Sequence, residues 1–402
     1  MNPIAGRHVV LGVSGGIAAY KTCTIARRLT EAGADVQVVL TAAGAEFVGP
    51  VTFEALTGHP AITSLWQPGR SLDHVRLGRE TDLVVVAPAT AHLLARVAQG
   101  MADDFLTALL LARRGPLLLC PAMNDRMFAH PETQANLALL RSRGVHVLGP
   151  VTGPLARGEG EGPGRMVEPE EIVAHAVRLL RSAPPWTGCR VLVTAGPTRE
   201  RLDPVRVVTN RSSGRMGFAL AREAWLRGAD VTLVSGPTAL EPPPGVALVR
   251  VESTADLSAA VGEALPVTDL LLMAAAPADY RPAQPLERKA KRAEGVVKVE
   301  LEPTADVLAD TRPRRKRGAV IVGFALETGD AAAAARAKLE AKQLDLVVAN
   351  DATEPGAGPE VATNKVTLIG RDGADALPLM GKDEVAVAIL DRVAPMLASK
   401  RA

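Results

Sequence analysis

The chain has 402 residues, of which 47% are hydrophobic and 22% charged, with a formal net charge of +2. That length exceeds one ordinary core and suits two domains of about 180 to 220 residues each, while the near-neutral balance argues against a nucleic-acid binder, which needs a basic surplus. Three cysteines, Cys23, Cys120 and Cys189, make neither a disulfide framework nor a metal spacing, so a reducing cytoplasm is expected; residues 1–6 lack the plan of a signal peptide and no apolar run reaches bilayer length.

His8–Val13 reads as a strand, followed by Ser14-Gly15-Gly16-Ile17 and a helix expected to begin by Ile17. The loop is a near miss for a P-loop, since Tyr20 stands where a glycine should precede Lys21-Thr22. It is also a poor dinucleotide site, because Gly12-Val-Ser-Gly15-Gly16 lacks the required glycine spacing. The second strand ends at Leu40-Thr41, where a nicotinamide dinucleotide would need an acid for its ribose; a hydroxyl suits a phosphate better. Ser14, Thr41 and the loop Ala87-Pro88-Ala-Thr90 each follow a predicted strand, and are expected to converge on one phosphate and an isoalloxazine edge. His74 can exchange a proton near neutral pH, although a lone histidine is more often a polar surface residue. Met101-Ala-Asp103-Asp104-Phe105 fits a ligand-side segment or a plain helix cap.

The seam is Ser182-Ala-Pro-Pro-Trp-Thr-Gly188, whose prolines end a helix expected over Glu170–Arg181; the domains are therefore drawn at 1–185 and 186–402. A weak repeat relates them. Gly6-Arg-His-Val-Val-Leu returns as Gly188-Cys-Arg-Val-Leu-Val, and Thr81-Asp-Leu-Val-Val-Val-Ala as Thr268-Asp-Leu-Leu-Leu-Met-Ala. Short continuous apolar runs alternating with amphipathic segments mark parallel sheets covered by helices. The fold class is α/β, two doubly wound, mostly parallel-sheet, Rossmann-like domains.

In the second half a strand at Val191–Thr194 stops at Gly196-Pro197; a polar excursion then returns through Asn210-Arg-Ser212-Ser-Gly214 into a helix from Met216 to Leu226. Loop amides at a helix N-terminus can hold an anionic oxygen, and an ordinary capped turn uses the same residue types. Strand Asp269–Met273 leads to Ala274-Ala275-Ala-Pro-Ala-Asp279, where the aspartate suits a ribose, a metal or merely a turn. Glu287-Arg-Lys289-Ala-Lys291-Arg292 fits a phosphate-binding loop and equally a solvated charge run. Strand Ala319–Val322 enters Gly323-Phe324-Ala-Leu-Glu327-Thr328, helix Ala331–Lys342 carries Lys338 and Lys342 on one face, and strand Leu346–Val348 ends at Ala349-Asn350-Asp351.

Together these segments resemble one family over essentially the whole chain: the bifunctional coenzyme A biosynthesis flavoprotein, phosphopantothenoylcysteine decarboxylase/phosphopantothenate–cysteine ligase. Thr194-Ala-Gly-Pro-Thr-Arg-Glu200, Asn210-Arg-Ser-Ser-Gly-Arg-Met-Gly217 and the Asp279, Lys289, Phe324 and Asn350 segments look like its ligase half, with Pro277 and Arg292 as departures. Gly12-Val-Ser-Gly15, Pro88-Ala-Thr-Ala-His92 and Pro121-Ala-Met-Asn124-Asp-Arg-Met127-Phe128 look like its flavin half, with Phe128 for the usual tryptophan. The resemblance implies CTP-dependent ligation of cysteine to 4'-phosphopantothenate through an acyl-cytidylate, followed by FMN-dependent decarboxylation. It implies that Lys289 neutralises developing charge, Asn210 orients the acyl-cytidylate, and Ser212 and Gly214 hold the substrate phosphate. Ala275, Asp279, Gly323, Phe324, Lys338 and Lys342 would meet the nucleotide, with Mg2+ on its phosphates and no metal ligands assigned. On the flavin side Ser14, Gly15, Thr41, Pro88, Thr90, Met101 and Asp103 would meet FMN, Asn124 the substrate carboxylate, and His74 the proton. Trimeric flavin domains joined through dimeric ligase domains are the implied homo-oligomer.

One departure cuts deeper. The family's flap carries a cysteine that protonates the product as the enethiol is reduced, and here Arg157 stands there, with no cysteine from Thr152 to Gly188. Arginine holds its proton too tightly to replace it; Glu159, Glu161 or Cys120 are the substitutes to weigh. A ligase whose flavin domain only assembles or stops at the enethiol is the alternative, and a nicotinamide oxidoreductase is disfavoured by the missing acid after the second strand.

Overall fold

The structure, a computed structural model, describes residues 4–66, 72–155, 158, 160–289, 296, 298–327, 331–351 and 353–401. The chain divides into two compact units, Met1–Arg181 and Ser182–Ala402, each an α/β unit with a mostly or wholly parallel central sheet.

The first sheet runs Asp35–Leu40, His8–Val13, Leu83–Ala89, Leu117–Pro121, His146–Val147, all parallel. Side chains alternate across its faces. Val10, Val84 and Val86 pack with Leu93, Phe105, Leu109 and Leu137, whereas Val9, Leu11 and Val85, also buried, lie on the face where helix Ala19–Glu31 packs with Pro50–Thr57 and Pro169–Arg181. Burial on both faces is why these strands read as continuous apolar runs. The first helix starts at Ala19 rather than by Ile17, because Ile17 is 69% exposed and belongs to the loop. An antiparallel hairpin, Val151–Pro154 with Glu161–Arg165, follows the sheet.

The second sheet runs Ala247–Arg250, Asp230–Ser235, Arg190–Ala195, Leu270–Met273, Val320–Glu327, Leu346–Asp351, Thr367–Gly370, Gly373–Ala376. Its first six strands are parallel, and its last two are antiparallel. Leu192, Leu271, Ile321 and Val347 share one core with Leu257, Val261 and Leu339; helices Arg215–Leu226 and Lys382–Arg401 pack together against the sheet. The strand from Val320 continues through Gly323 to Glu327, past the end at Val322 expected from the sequence, and its pairing with Leu346–Asp351 carries Phe324 beyond the end of Leu270–Met273.

The internal repeat has a structural meaning. His8–Val13 pairs with Asp35–Leu40 on one side and Leu83–Ala89 on the other, and Arg190–Ala195 pairs equivalently with Asp230–Ser235 and Leu270–Met273. In each unit an aspartate at the foot of the third of these strands accepts from the first amide of the opening one: His8 N donates to Asp82 Oδ2 at 2.8 Å, and Arg190 N to Asp269 Oδ2 at 2.9 Å.

Candidate active sites

In open parallel sheets ligands sit beyond the carboxyl ends of the strands where the strand order reverses. Each unit has a large cavity there, about 870 Å³ in the first and 930 Å³ in the second, the size range of cofactor sites.

The first cavity lies between the loops that follow His8–Val13 and Leu83–Ala89. Ser14, Gly15, Thr41 and Thr90 all line it. Ser14 Oγ donates to Pro88 O at 2.7 Å and Thr90 N donates back to Ser14 Oγ at 3.1 Å, which ties the two loops together. Thr41 caps helix Ala42–Ala45 by accepting from Gly44 N, and Thr90 caps Ala91–Ala98 by accepting from Leu93 N. Helix N-terminal amides therefore surround the cavity, a preset anion site. Lys21, the near-miss P-loop lysine, is held at 2.9 Å by Glu168. Ile17, Leu93, Met123, Met127 and Leu155 add an apolar part to the lining.

Asn124 lines the cavity and caps helix Asp125–Ala129, its Oδ1 accepting from Arg126 N at 2.9 Å. That leaves the amide's N–H groups as donors. The hairpin strand lies flush on this loop: Met123 N donates to Gly164 O at 3.0 Å, and a Cβ at Gly164 would come within 2.2 Å of Met123 O. Arg157 and Glu159 lie outside the described residues. Glu161 is exposed, opposite Pro154 on the hairpin. Cys120 is fully buried in its strand, away from the cavity wall, and burial pushes its thiol well above the usual range; it is no substitute for the flap cysteine.

Four expected residues stand off this wall, the first being Pro88, which is buried in its strand and meets Ser14 only through its carbonyl. Met101 is exposed. Asp103 pairs with Arg96, while Asp104 binds Arg96 at 2.8 Å and forms a capping box with Thr107 at the head of helix Phe105–Ala112. Arg96 and Asp104 are the members of this cluster that line the cavity, and Arg96 was invisible to motif reading. His74 sits on helix Asp73–Glu80 against the edge of Phe105, ring centroids 6.3 Å apart. Its Nδ1 is buried without a hydrogen-bond partner among the described residues, and it is not part of the cavity wall.

In the second unit Asn210, Ser212, Gly214, Ala275, Asp279, Phe324, Lys338 and Lys342 line one cavity. Gly214 takes φ 76° at the head of helix Arg215–Leu226, a left-handed turn that glycine adopts without strain. Asn210 Nδ2 donates to Pro277 O at 2.8 Å. The loop Ala274–Asp279 is fixed from beneath: Ala275 N donates to Thr194 Oγ1 at 3.0 Å and Ala278 N to Thr198 Oγ1 at 2.8 Å. Glu200 Oε1 accepts from both the amide and the hydroxyl of Thr254, each at 2.8 Å, and Thr254 Oγ1 meets Thr198 Oγ1 at 2.9 Å. Thr198 and Glu200 thus support the site from a buried network.

Lys338 Nζ donates to Phe324 O at 2.6 Å, and burial lowers its pKa, with Lys342 adding repulsion. Lys342 pairs with Asp306 at 2.9 Å. Lys289 is exposed and off the wall, and Lys291, Arg292 and Thr328 lie outside the described residues. Gly323 is also off the wall; a Cβ there would come within 2.6 Å of Leu344 Cδ1, so the residue serves packing. Sequence reading missed Thr304, Asp306 and Lys382, which reach the cavity from distant segments. Among the described residues no group of three His, Cys, Asp or Glu side chains is placed to hold a metal ion, and no helix is long and apolar enough to cross a membrane.

A family model described as "Flavoprotein" matches residues 2–181, and one described as "DNA/pantothenate metabolism flavoprotein C-terminal domain" matches residues 186–397. The coenzyme A biosynthesis bifunctional protein CoaBC of Vibrio cholerae is 45% identical over 97% of this chain and 98% of its own length. Its counterpart from Mycobacterium tuberculosis is 49% identical over 98% of this chain and 97% of its own. The crystal structure of the C-terminal domain of a CoaBC protein is 42% identical, covering 53% of this chain and 97% of its own, with a TM-score of 0.45. Its two domains and their near full-length relatives place the chain in the family of coenzyme A biosynthesis bifunctional proteins.

Proposed function

We propose that the second unit joins cysteine to 4'-phosphopantothenate at the expense of CTP, and that the first decarboxylates the product, phosphopantothenoylcysteine, to 4'-phosphopantetheine. The observation that carries this is the contrast in lining between two cavities at equivalent sheet positions: hydroxyls, helix N-termini and many apolar side chains, with Lys21, Arg96, Arg165 and Asp104 as the charges, in one, and three lysines facing four carboxylates in the other.

In the ligase cavity the carboxylate of 4'-phosphopantothenate attacks the α-phosphate of CTP, forming an acyl-cytidylate and releasing pyrophosphate; the amine of cysteine then displaces CMP. Lys338 and Lys342 sit where a nucleotide's phosphates need cations, and Lys289 would approach from the adjoining segment to neutralise charge in the first step. Asn210, anchored through Pro277, keeps its amide oxygen for orienting the acyl group. Ser212 and Gly214 receive the substrate phosphate. Mg2+ would arrive with CTP, held by the phosphates and at most one or two carboxylates, for which Asp279 and Glu327 are at hand.

The first cavity fits FMN: its hydroxyls and helix amides suit a phosphate, and its apolar lining suits a flat ring. FMN, when bound, supplies the two-electron chemistry that makes loss of CO2 feasible. Asn124 orients the substrate carboxylate from the rigid end of its helix, and the hairpin above it excludes water. His74 stands outside this wall, against Phe105 with its Nδ1 unpaired among the described residues, as the proton-exchanging group of this reading. The three free cysteines stay reduced in the cytoplasm, where we place the enzyme.

Supplying CTP, 4'-phosphopantothenate and cysteine anaerobically tests the reading. Pyrophosphate release, CO2 and a product with the mass of 4'-phosphopantetheine are expected. The absent flap cysteine favours one specific second outcome, a product two hydrogens lighter, which would show that the flavin half stops at the enethiol.

A further inference from the structure

Helix Lys382–Arg401 begins with a residue that electrostatics disfavours. A cation at the head of a 20-residue helix opposes the macrodipole, whereas Asp383 and Glu384 in the same turn are what that position favours. Lys382 is nonetheless drawn inward: it is only 5% exposed and lines the ligase cavity. Its Nζ donates to Gly358 O at 2.9 Å and to Pro359 O at 3.2 Å. An ammonium has three N–H donors, and the third has no protein acceptor among the described residues.

The nearby carboxylates are engaged elsewhere. Asp383 pairs with Arg222, Glu384 Oε2 accepts from Gly381 N at 2.9 Å, and Glu360 faces Arg211 at 3.9 Å. Burial, reinforced by the positive charge of Arg215, pulls the Lys382 pKa down to about 8. A desolvated cation with a spare donor and no counter-ion is a receptor for an anion. The same carbonyl that Lys382 holds, Pro359 O, also accepts from Ser213 Oγ at 2.6 Å. Lys382 and the loop Ser212–Gly214 therefore meet on one oxygen atom.

We propose that Lys382 seats the phosphate monoester of the pantothenate substrate, presenting its remaining N–H to the phosphate while its carbonyl contacts hold the loop Ser212–Gly214 in place. This rests on the ligase reading above, which names the substrate.

The test titrates full-length wild type, Lys382→Met and Lys382→Arg with 4'-phosphopantothenate and with pantothenate, without CTP, and separately measures KM for both ligase substrates. Wild type should prefer the phosphorylated ligand. Lys382→Met should lose on the order of 10- to 100-fold of that affinity, the scale of a hydrogen bond to a charged group, with pantothenate binding and KM for CTP changed by less than about twofold. From about pH 7 to 9 the wild-type affinity should fall as the ammonium deprotonates, the phosphate being already mostly dianionic. Lys382→Arg should remove that fall, since guanidinium keeps its charge. Equal loss of affinity for both ligands, an equal rise in KM for CTP, or unchanged phosphopantothenate binding by Lys382→Met overturns the proposal. If Lys382→Met melts early, the slope of Lys382→Arg decides, and a slope like that of wild type overturns it. Wild type that shows the Lys382-dependent preference yet releases no pyrophosphate refutes the ligase reading and leaves the phosphate seat standing.

Discussion

The two units share a frame and differ in what they hang on its upper rim. Both open with the same central strand flanked by the same two neighbours, and both put a cavity where the strand order reverses. The first cavity joins helix N-termini to cations that are each already paired, Arg96 with Asp103 and Asp104, and Lys21 and Arg165 with Glu168. The second is charged by side chains: Lys338, Lys342 and Lys382 against Asp279, Asp306 and Glu327. Fixed dipoles suit a ligand held through many turnovers, whereas mobile opposite charges suit phosphates that arrive, change charge and leave. The titratable equipment differs too, since all seven histidines lie in the first unit.

The contrast breaks most sharply at Asn210. Asn210→Asp puts a negative charge beside an anionic acyl-phosphate, so ligation should fall by roughly 10²- to 10³-fold while pyrophosphate release continues and acyl-cytidylate accumulates. Decarboxylation of added phosphopantothenoylcysteine should be unaffected; a parallel fall there would mean that the cavities are not independent. Gly214→Ala is the next largest. Alanine at φ 76°, with its Cβ about to meet Thr238 Cγ2 at 2.7 Å, costs about 1–2 kcal/mol, enough to raise KM for 4'-phosphopantothenate about tenfold, read by steady-state kinetics.

On the flavin side Arg96→Ala leaves Asp103 and Asp104 without their shared cation. Flavin retention, measured by fluorescence of released cofactor, should drop several-fold, with ligation intact. The smallest effect is one of pH. Burial, with Arg178 and His146 adding repulsion, lowers His175 from 6.5 to about 4. The unfolded chain therefore binds more protons between those values, and the stability present above pH 6.5 is lost as pH falls toward 4. Thermal release of flavin should shift down across that window, less so in His175→Gln, whereas the unit without histidines lacks this dependence.

The strands were legible because burial on both faces leaves no polar interruption, as in Leu83–Ala89 and Leu117–Pro121. The helix start at Ala19 was misread because an apolar side chain such as Ile17 looks the same in sequence whether it is buried or exposed. Gly323 looked like the end of a strand, yet there it only makes room for Leu344. The loops around Ser14, Thr90, Asn124, Ser212 and Asp279 were readable because each is a local motif at a strand end. Lys382 was not, since nothing local separates a lysine opening a helix from any other surface lysine; only the return of the chain brings it to Pro359.

The two aspartates at the feet of the sheets, Asp82 and Asp269, carry one further consequence. Each pins the opening strand from the rim opposite its cavity, so this fixing contact and the ligand-facing loop lie at different ends of that strand. A polypeptide partitioned in this way can be rewritten at one end without disturbing the other. For protein engineers the boundary is a place to cut: loops exchanged above Val13, Ala89, Ala195 and Met273 transplant chemistry, and everything below them is chassis.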